Sequence, residues 1–140
     1  MPQIGVGLCV QHSVEAVALY TEAFGLTLGY HVRNDDGSFF HSELYDGDAE
    51  MLSVVESGAP VCSDNPVQLG YTFSSRDALL RAFGLLWQGG QVRMDVCELP
   101  WSPCAAEVVD RFGVRWYLTL QQHRPPEDFT PADCQSSQDD

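Results

Sequence analysis

The chain has no lysine; its seven basic residues are all arginines, set against twenty acidic ones for a formal charge of −13. So little positive charge leaves no electrostatic footprint for a phosphate backbone, and no nucleic-acid partner is expected. A cationic ligand or partner fits better. Glu127, Asp128, Asp133, Asp139 and Asp140 account for part of the charge as solvated residues near the C-terminus. No apolar run approaches the roughly 20 residues that span a bilayer, and the N-terminus has no basic segment followed by an apolar one. No membrane association is expected, and the expected location is cytoplasmic. Cys-x-x-Cys spacing is also absent. The five cysteines (Cys9, Cys62, Cys97, Cys104 and Cys134) are odd in number and scattered, which argues against a disulfide framework or a zinc knuckle and leaves free thiols. Gly-x-Gly-x-x-Gly, phosphate-loop and nucleophile-elbow patterns are missing as well.

What is present is enough for one domain with a real core, since 44% of the 140 residues are hydrophobic. Ile4, Val6, Leu8 and Val10 alternate with Gly5, Gly7 and Cys9, which predicts a strand with one bulky and one nearly bare face. A helix follows, with Ser13 as its expected cap, Glu15 in its first turn, Val14, Val17, Tyr20 and Phe24 at helical spacing, and Gly25 as its stop. Strands are then expected over Leu26 to Arg33, Ser38 to Tyr45 and Glu50 to Val55, with Asp36-Gly37 and Asp46-Gly47 as hairpin turns. Residues 56–66, rich in small and turn residues, make a connector.

The second half repeats the plan. Val67 to Ser74 is a strand, Ser74 caps a helix with Asp77 three residues on, and Gly89-Gly90 stops that helix. Gln91 to Glu98 alternates as a third element, and a hairpin over Glu107 to Leu118 turns at Asp110 to Gly113. The expected architecture is α+β: two β-α-β-β-β modules, over residues 4–55 and 67–121, within a domain spanning 1–122. Residues 123–140 form a polar, acidic tail expected to be flexible.

Three local stretches carry a resemblance. Glu15 to Gly25 resembles a first-helix signature, His41-Ser42-Glu43-Leu44 a third-strand His-x-Glu-Leu, and Asp110-Arg111-Phe112-Gly113-Val114-Arg115-Trp116 an Asp-Pro-Phe-Gly-x-x-Trp turn with Arg111 in place of proline. These are similar to motifs of the vicinal oxygen chelate superfamily, which includes glyoxalases, bleomycin-resistance proteins and dioxygenases, and in particular to its PhnB-like, 3-demethylubiquinone methyltransferase-like branch. The resemblance implies that both modules form a curved, cup-like mixed sheet with the helices on its convex face, and that the protein is a homodimer. No nucleotide-binding pattern supports a methyltransferase.

In the metal-dependent members of that superfamily the ligands lie on the first and last strand of each repeat and point into the concave face. The matching positions here are Gly5, Leu52, Gly70 and Tyr117, which offer a divalent ion almost no donor atoms, so neither a metal nor another cofactor is expected. A second constellation remains. Phe39, His41, Glu43 and Tyr45 alternate along one strand and so share a face. A two-residue turn at Asp46-Gly47 would set Glu43 opposite Glu50 and His41 opposite Leu52, on that same concave face. Paired carboxylates beside a histidine suit general acid–base work, with His41 and Glu43 as the catalytic candidates, while a solvated polar face is the alternative.

The hairpin register decides whether His31 shares a face with His41, and the alternation of residues 26–33 favours an odd-numbered loop that puts them together, although a lone, exposed His31 is the expected outcome. From the second half, Asp95, Arg115 and Tyr117 are expected on the concave side, with Arg115 paired to Asp95 or meeting a ligand anion, and Trp101 as a lid aromatic in a loop with Ser102 and Pro103. Trp87 and Trp116 are expected in the core. Function then divides three ways. The first reading, which the resemblance implies, is a metal-independent small-molecule binding protein similar to the glyoxalase/bleomycin-resistance type, with Glu50, Asp95, Trp101, Arg115 and Tyr117 as expected ligand contacts. Alternatively the chain is an enzyme using His41 and Glu43, or a dimeric scaffold whose cleft its own side chains fill.

Overall fold

The computed structural model describes residues 3–59 and 67–121. The acidic tail and most of the connector, with Cys62 and Cys134, lie outside the described residues. The chain divides into two compact units, each carrying one β-α-β-β-β run.

The first unit comprises β1 (Gly7–Val10), α1 (Ser13–Phe24), β2 (Thr27–Arg33), β3 (Phe39–Asp46) and β4 (Ala49–Glu56). Its sheet runs β1-β4-β3-β2, with β1 parallel to β4 and the other pairs antiparallel. The order follows from chain economy: two hairpins build β2-β3-β4, and the helical crossover then returns β1 beside β4. Buried Ala16, Val17, Tyr20, Ala23 and Phe24 recur at three- and four-residue spacing and pack α1 on the sheet, over Leu44, Leu52 and Val54. Val14, expected in that stripe, is instead 43% exposed.

Ser13 is not the helix cap. His12 holds that position in the left-handed region, with φ 62° and no side-chain cap bond. The exposed amides are met by a carboxylate from the far end of the unit. Glu56 Oε2 accepts from His12 N at 3.0 Å, and its Oε1 accepts from Ser13 N at 2.9 Å and Ser13 Oγ at 2.7 Å. Ser13 Oγ in turn accepts from Phe39 N at 2.9 Å, so one hydroxyl ties together α1, β3 and β4. Gly25 ends the helix in the left-handed region as expected, with φ 66°.

The second unit comprises β5 (Gln68–Thr72), α2 (Arg76–Leu86), β6 (Gln91–Leu99), β7 (Ser102–Val109) and β8 (Arg115–Thr119). Its strand order, β5-β8-β7-β6, repeats the first. The cap of α2 lies one residue later than expected: Ser75 Oγ, not Ser74, accepts from Ala78 N at 3.2 Å. Leu79, Ala82 and Leu86 bury the helix against β7 and β8, where Ala106, Val108, Trp116 and Leu118 form the core. Trp116 is 2% exposed, whereas Trp87, also expected inside, is 48% exposed at the end of α2. Ser102 and Pro103 belong to β7 rather than to a loop.

The duplication extends to register. Gly7 pairs with Ser53 and Ser53 with Glu43 in the first sheet; Gly70 pairs with Tyr117 and Tyr117 with Glu107 in the second. Gly7 thus corresponds to Gly70, Ser53 to Tyr117, and Glu43 to Glu107.

Candidate functional site

The first sheet buries Ser42, Leu44, Leu52 and Val54 on its helix side and turns His41, Glu43, Tyr45 and Ser53 to the opposite face. Three irregularities set which side chains arrive there. On β3, Val32 pairs with His41 but Arg33 pairs with Phe39, so Phe40 is an extra residue. That bulge turns Phe39 into the core, 1% exposed, away from the face it was expected to share with His41. Arg33 covers its ring at 4.5 Å and His31 meets it edge-on at 5.6 Å. His31 therefore lies on the helix side, opposite to His41, because the bulge cancels the effect of the hairpin loop. Its Nδ1 donates to Gly29 O at 2.9 Å.

On β4, Leu44 pairs with Leu52 while Tyr45 pairs with Glu50, leaving Met51 as the extra residue. Glu43 consequently faces Ser53, not Glu50, and Glu50 faces Tyr45. Leu52 is 7% exposed within the core, not opposite His41. The third bulge lies in β2, where Gly29 and Tyr30 intervene between Leu28, paired with Leu44, and His31, paired with Ser42.

The result is a hydrogen-bonded row along β3. His41 Nε2 lies 2.8 Å from Glu43 Oε2, and Tyr45 donates its hydroxyl to Glu43 Oε1 at 2.6 Å. These two bonds, that from His41 first, hold the Glu43 carboxyl below its usual range. Tyr45 moves the other way, pushed up to about 12 by its bond to Glu43, by burial, and by the charges of Glu43 and Glu50. An ionised Glu43 only accepts, so the proton of a neutral His41 ring sits on Nε2 and Nδ1 presents a lone pair. Among the described residues nothing hydrogen-bonds that Nδ1. Tyr30, 64% exposed, places its ring 6.0 Å from the His41 ring.

In the second unit the expected contacts assemble differently. Arg115 Nε donates to Glu107 Oε1 in a tight ion pair, not to Asp95. Asp95 is exposed on β6 and accepts from Val96 N at 2.8 Å. Trp101 does fold over the sheet: its indole N–H donates to the Tyr117 hydroxyl at 2.6 Å. Both rings pack with Met94 and Cys97 on buried Leu99 and Ala105. Position Glu107 was legible as a partner for Arg115, since the two flank the Asp110 turn on facing strands.

The register also moves two of the four positions that the resemblance singled out, Gly5 and Leu52. Gly5 precedes β1, and Leu52 is in the core; the paired positions on the first and last strand of each unit are Gly7 with Ser53 and Gly70 with Tyr117. Neither pair offers a divalent ion more than one hydroxyl, and no group of three or more His, Cys, Asp or Glu is arranged to hold one among the described residues. No described helix is long and apolar enough to cross a membrane.

No family model matches the sequence, and no curated protein matches it. Solved structures do. Protein PA1353 from Pseudomonas aeruginosa superposes with a TM-score of 0.73 at 23% identity, over 88% of this chain and 100% of that one. The PhnB protein from Bacillus cereus gives 0.68 at 21% identity, over 85% and 99%. A glyoxylase/bleomycin resistance protein/dioxygenase domain from Frankia sp. EAN1pec gives 0.65 at 17% identity, over 87% and 98%. With two equivalent β-α-β-β-β units and these neighbours, the chain has the α+β fold of the glyoxalase/bleomycin resistance/dioxygenase and PhnB-like proteins.

Proposed function

We propose that the protein is a metal-independent small-molecule binding protein that takes a cationic ligand on the open face of its first sheet. One comparison within the chain carries this reading. In the second unit Glu107 pairs diagonally with Arg115, the residue opposite Val109. The corresponding places in the first unit hold Glu43 and, opposite Tyr45, Glu50. The same lattice of strands therefore carries an acid–base pair in one unit and two acids in the other. A ligand ammonium or amidinium supplies to Glu43 the charge that Arg115 supplies to Glu107. The exposed Tyr30 ring beside His41 adds a surface for the ligand's apolar part or for its cation.

The protonation states favour binding over turnover. Glu43 is held ionised and Tyr45 protonated, both displaced away from neutral pH, whereas a general acid or base works best near it. The Frankia neighbour bears a bleomycin-resistance name, which fits the same class. A second reading, an enzyme in which Glu43 orients His41 and Nδ1 takes a proton, is favoured by the unpartnered Nδ1 among the described residues. We also propose a homodimer, which sedimentation equilibrium tests directly.

Calorimetric titration with benzamidine and its neutral isostere benzamide tests the binding reading. Benzamidine is expected to saturate a single site while benzamide does not, and Glu50→Arg, which recreates the pair of the second unit, should weaken benzamidine by about tenfold or more. Equal binding of the two compounds, or an unaffected Glu50→Arg variant, removes the cationic class. A thermal-shift screen of a neutral and anionic library against wild type, His41→Ala and Glu43→Ala then shows whether the face binds anything at all.

A further inference from the structure

We propose that Gly29 is a positioning residue of this site, resting on the reading that His41, Glu43 and Tyr45 make up the ligand face. Gly29 sits in the β2 bulge and does not have a positive φ, so its backbone does not require glycine. What requires it is the neighbouring ring. A β-carbon at Gly29 would lie 2.4 Å from Tyr45 Cε2 and 2.6 Å from Cδ2, well inside contact distance. The Tyr45 ring therefore lies flat across β2 because a side chain is missing beneath it. Only from that position does its hydroxyl meet Glu43 Oε1 at 2.6 Å. That bond occupies one carboxylate oxygen and leaves the other for His41 Nε2 at 2.8 Å.

The chain of cause runs from a missing methyl in β2, through a ring in β3, to the orientation of a carboxylate and an imidazole. The atoms that block a β-carbon belong to a side chain on the half-exposed face of the sheet. A methyl at residue 29 is thus relieved by swinging the ring aside, without moving the backbone. Gly29→Ala should leave the fold in place and take the site apart. Tyr45 would lose its bond to Glu43, the first cause of its raised titration, and Glu43 would lose one of the two donors that hold it in register.

The test is the titration of Tyr45, followed by the NMR shift of its Cζ carbon at pH 11 with circular dichroism recorded in parallel. For a value of about 12 roughly a tenth of the wild-type ring is ionised there, against about nine tenths for an ordinary value of 10.0. The expected result is a Gly29→Ala protein with wild-type dichroism and Tyr45 mostly ionised, a change that a purely structural glycine would not produce. An unshifted Tyr45 in folded Gly29→Ala overturns the proposal. If Gly29→Ala fails to fold, the double variant Gly29→Ala/Tyr45→Ala decides: recovery of the fold supports the ring as the obstacle, and continued failure overturns it. None of these readouts uses a ligand, so a negative ligand titration rejects the binding reading while leaving the Gly29 result to stand or fall alone.

Discussion

Asp110 Oδ2 accepts a hydrogen bond from Trp116 Nε1 at 2.9 Å, across the turn between β7 and β8. The other oxygen, Oδ1, accepts from Phe112 N at 2.9 Å and Val114 N at 3.0 Å. Asp110 is 2% exposed, and Trp116 is equally buried. One carboxylate thus satisfies two turn amides and the polar edge of the largest side chain in the second core, while Gly113, with φ 86°, allows the chain to reverse. This is the physical content of the Asp-Arg-Phe-Gly-Val-Arg-Trp stretch.

Asp110→Ala removes the acceptor shared by three buried donors and is expected to cost about 3 kcal/mol or more. Asp110→Asn retains an oxygen for the two amides but turns an NH2 toward the indole N–H, two donors facing each other, and should fall between. Urea melts monitored by tryptophan fluorescence rank the three proteins; equal midpoints would contradict this account.

Glu56 makes stability depend on acid. Burial raises its carboxyl, but the bonds from Ser13 N, Ser13 Oγ and His12 N outweigh that and set it below its ordinary value of 4.5. A carboxyl depressed in the folded state contributes stability that is full above 4.5 and disappears as the pH falls through its folded value. Wild type should therefore lose stability in that acid window more steeply than Glu56→Gln, which binds no proton there. At neutral pH Glu56→Gln should be less stable by about 1 kcal/mol, the scale of a lost helix cap. Thermal melts from pH 7 to 3 measure both effects.

Gly90 offers the counterpart to Gly29. A β-carbon at Gly90 would stand 2.1 Å from Val109 O and 3.0 Å from the Asp110 backbone, which cannot swing aside. Gly90→Ala is expected to destabilise the second unit by about 2–3 kcal/mol, as overpacking does. Gly29→Ala, meeting a movable ring, should cost well under half of that in chemical denaturation.

Thiol reactivity follows burial. Cys9 is exposed on β1 and Cys104 is fully buried in β7. Cys9→Ser should remove one rapidly reacting equivalent toward a disulfide reagent under native conditions, and Cys104→Ser should remove one that reacts only in denaturant.

Much of the fold was legible because it is locally encoded. Alternation, helical spacing and Asp-Gly turns marked both helices and the strands apart from the first half of β7, which was expected as a loop, and two local resemblances lay on residues that organise the structure, the Asp110 turn and the β3 row. The site was legible only in outline. His41 and Glu43 share a face because strand period places them there, but Phe39 leaves that face and Glu50 moves from Glu43 to Tyr45 through single-residue bulges. A bulge inverts every inference of facing beyond it, and no local pattern announced those at Phe40 and Met51. Arg115 was expected to pair with Asp95 or to meet a ligand anion, whereas Glu107, across its own hairpin, takes it.

Charge, composition and element order were thus determined by the sequence itself: a lysine-free, acidic chain in which a β-α-β-β-β plan occurs twice. Tertiary structure alone decided that Glu56 caps α1, that Tyr45 lies over Gly29 and locks Glu43, and that one unit pairs its glutamate with an arginine where the other sets a second glutamate. Those contacts join residues distant in the chain or depend on bulged register. They are resolved only when the sheets form and each buried or half-buried polar group must find its partner.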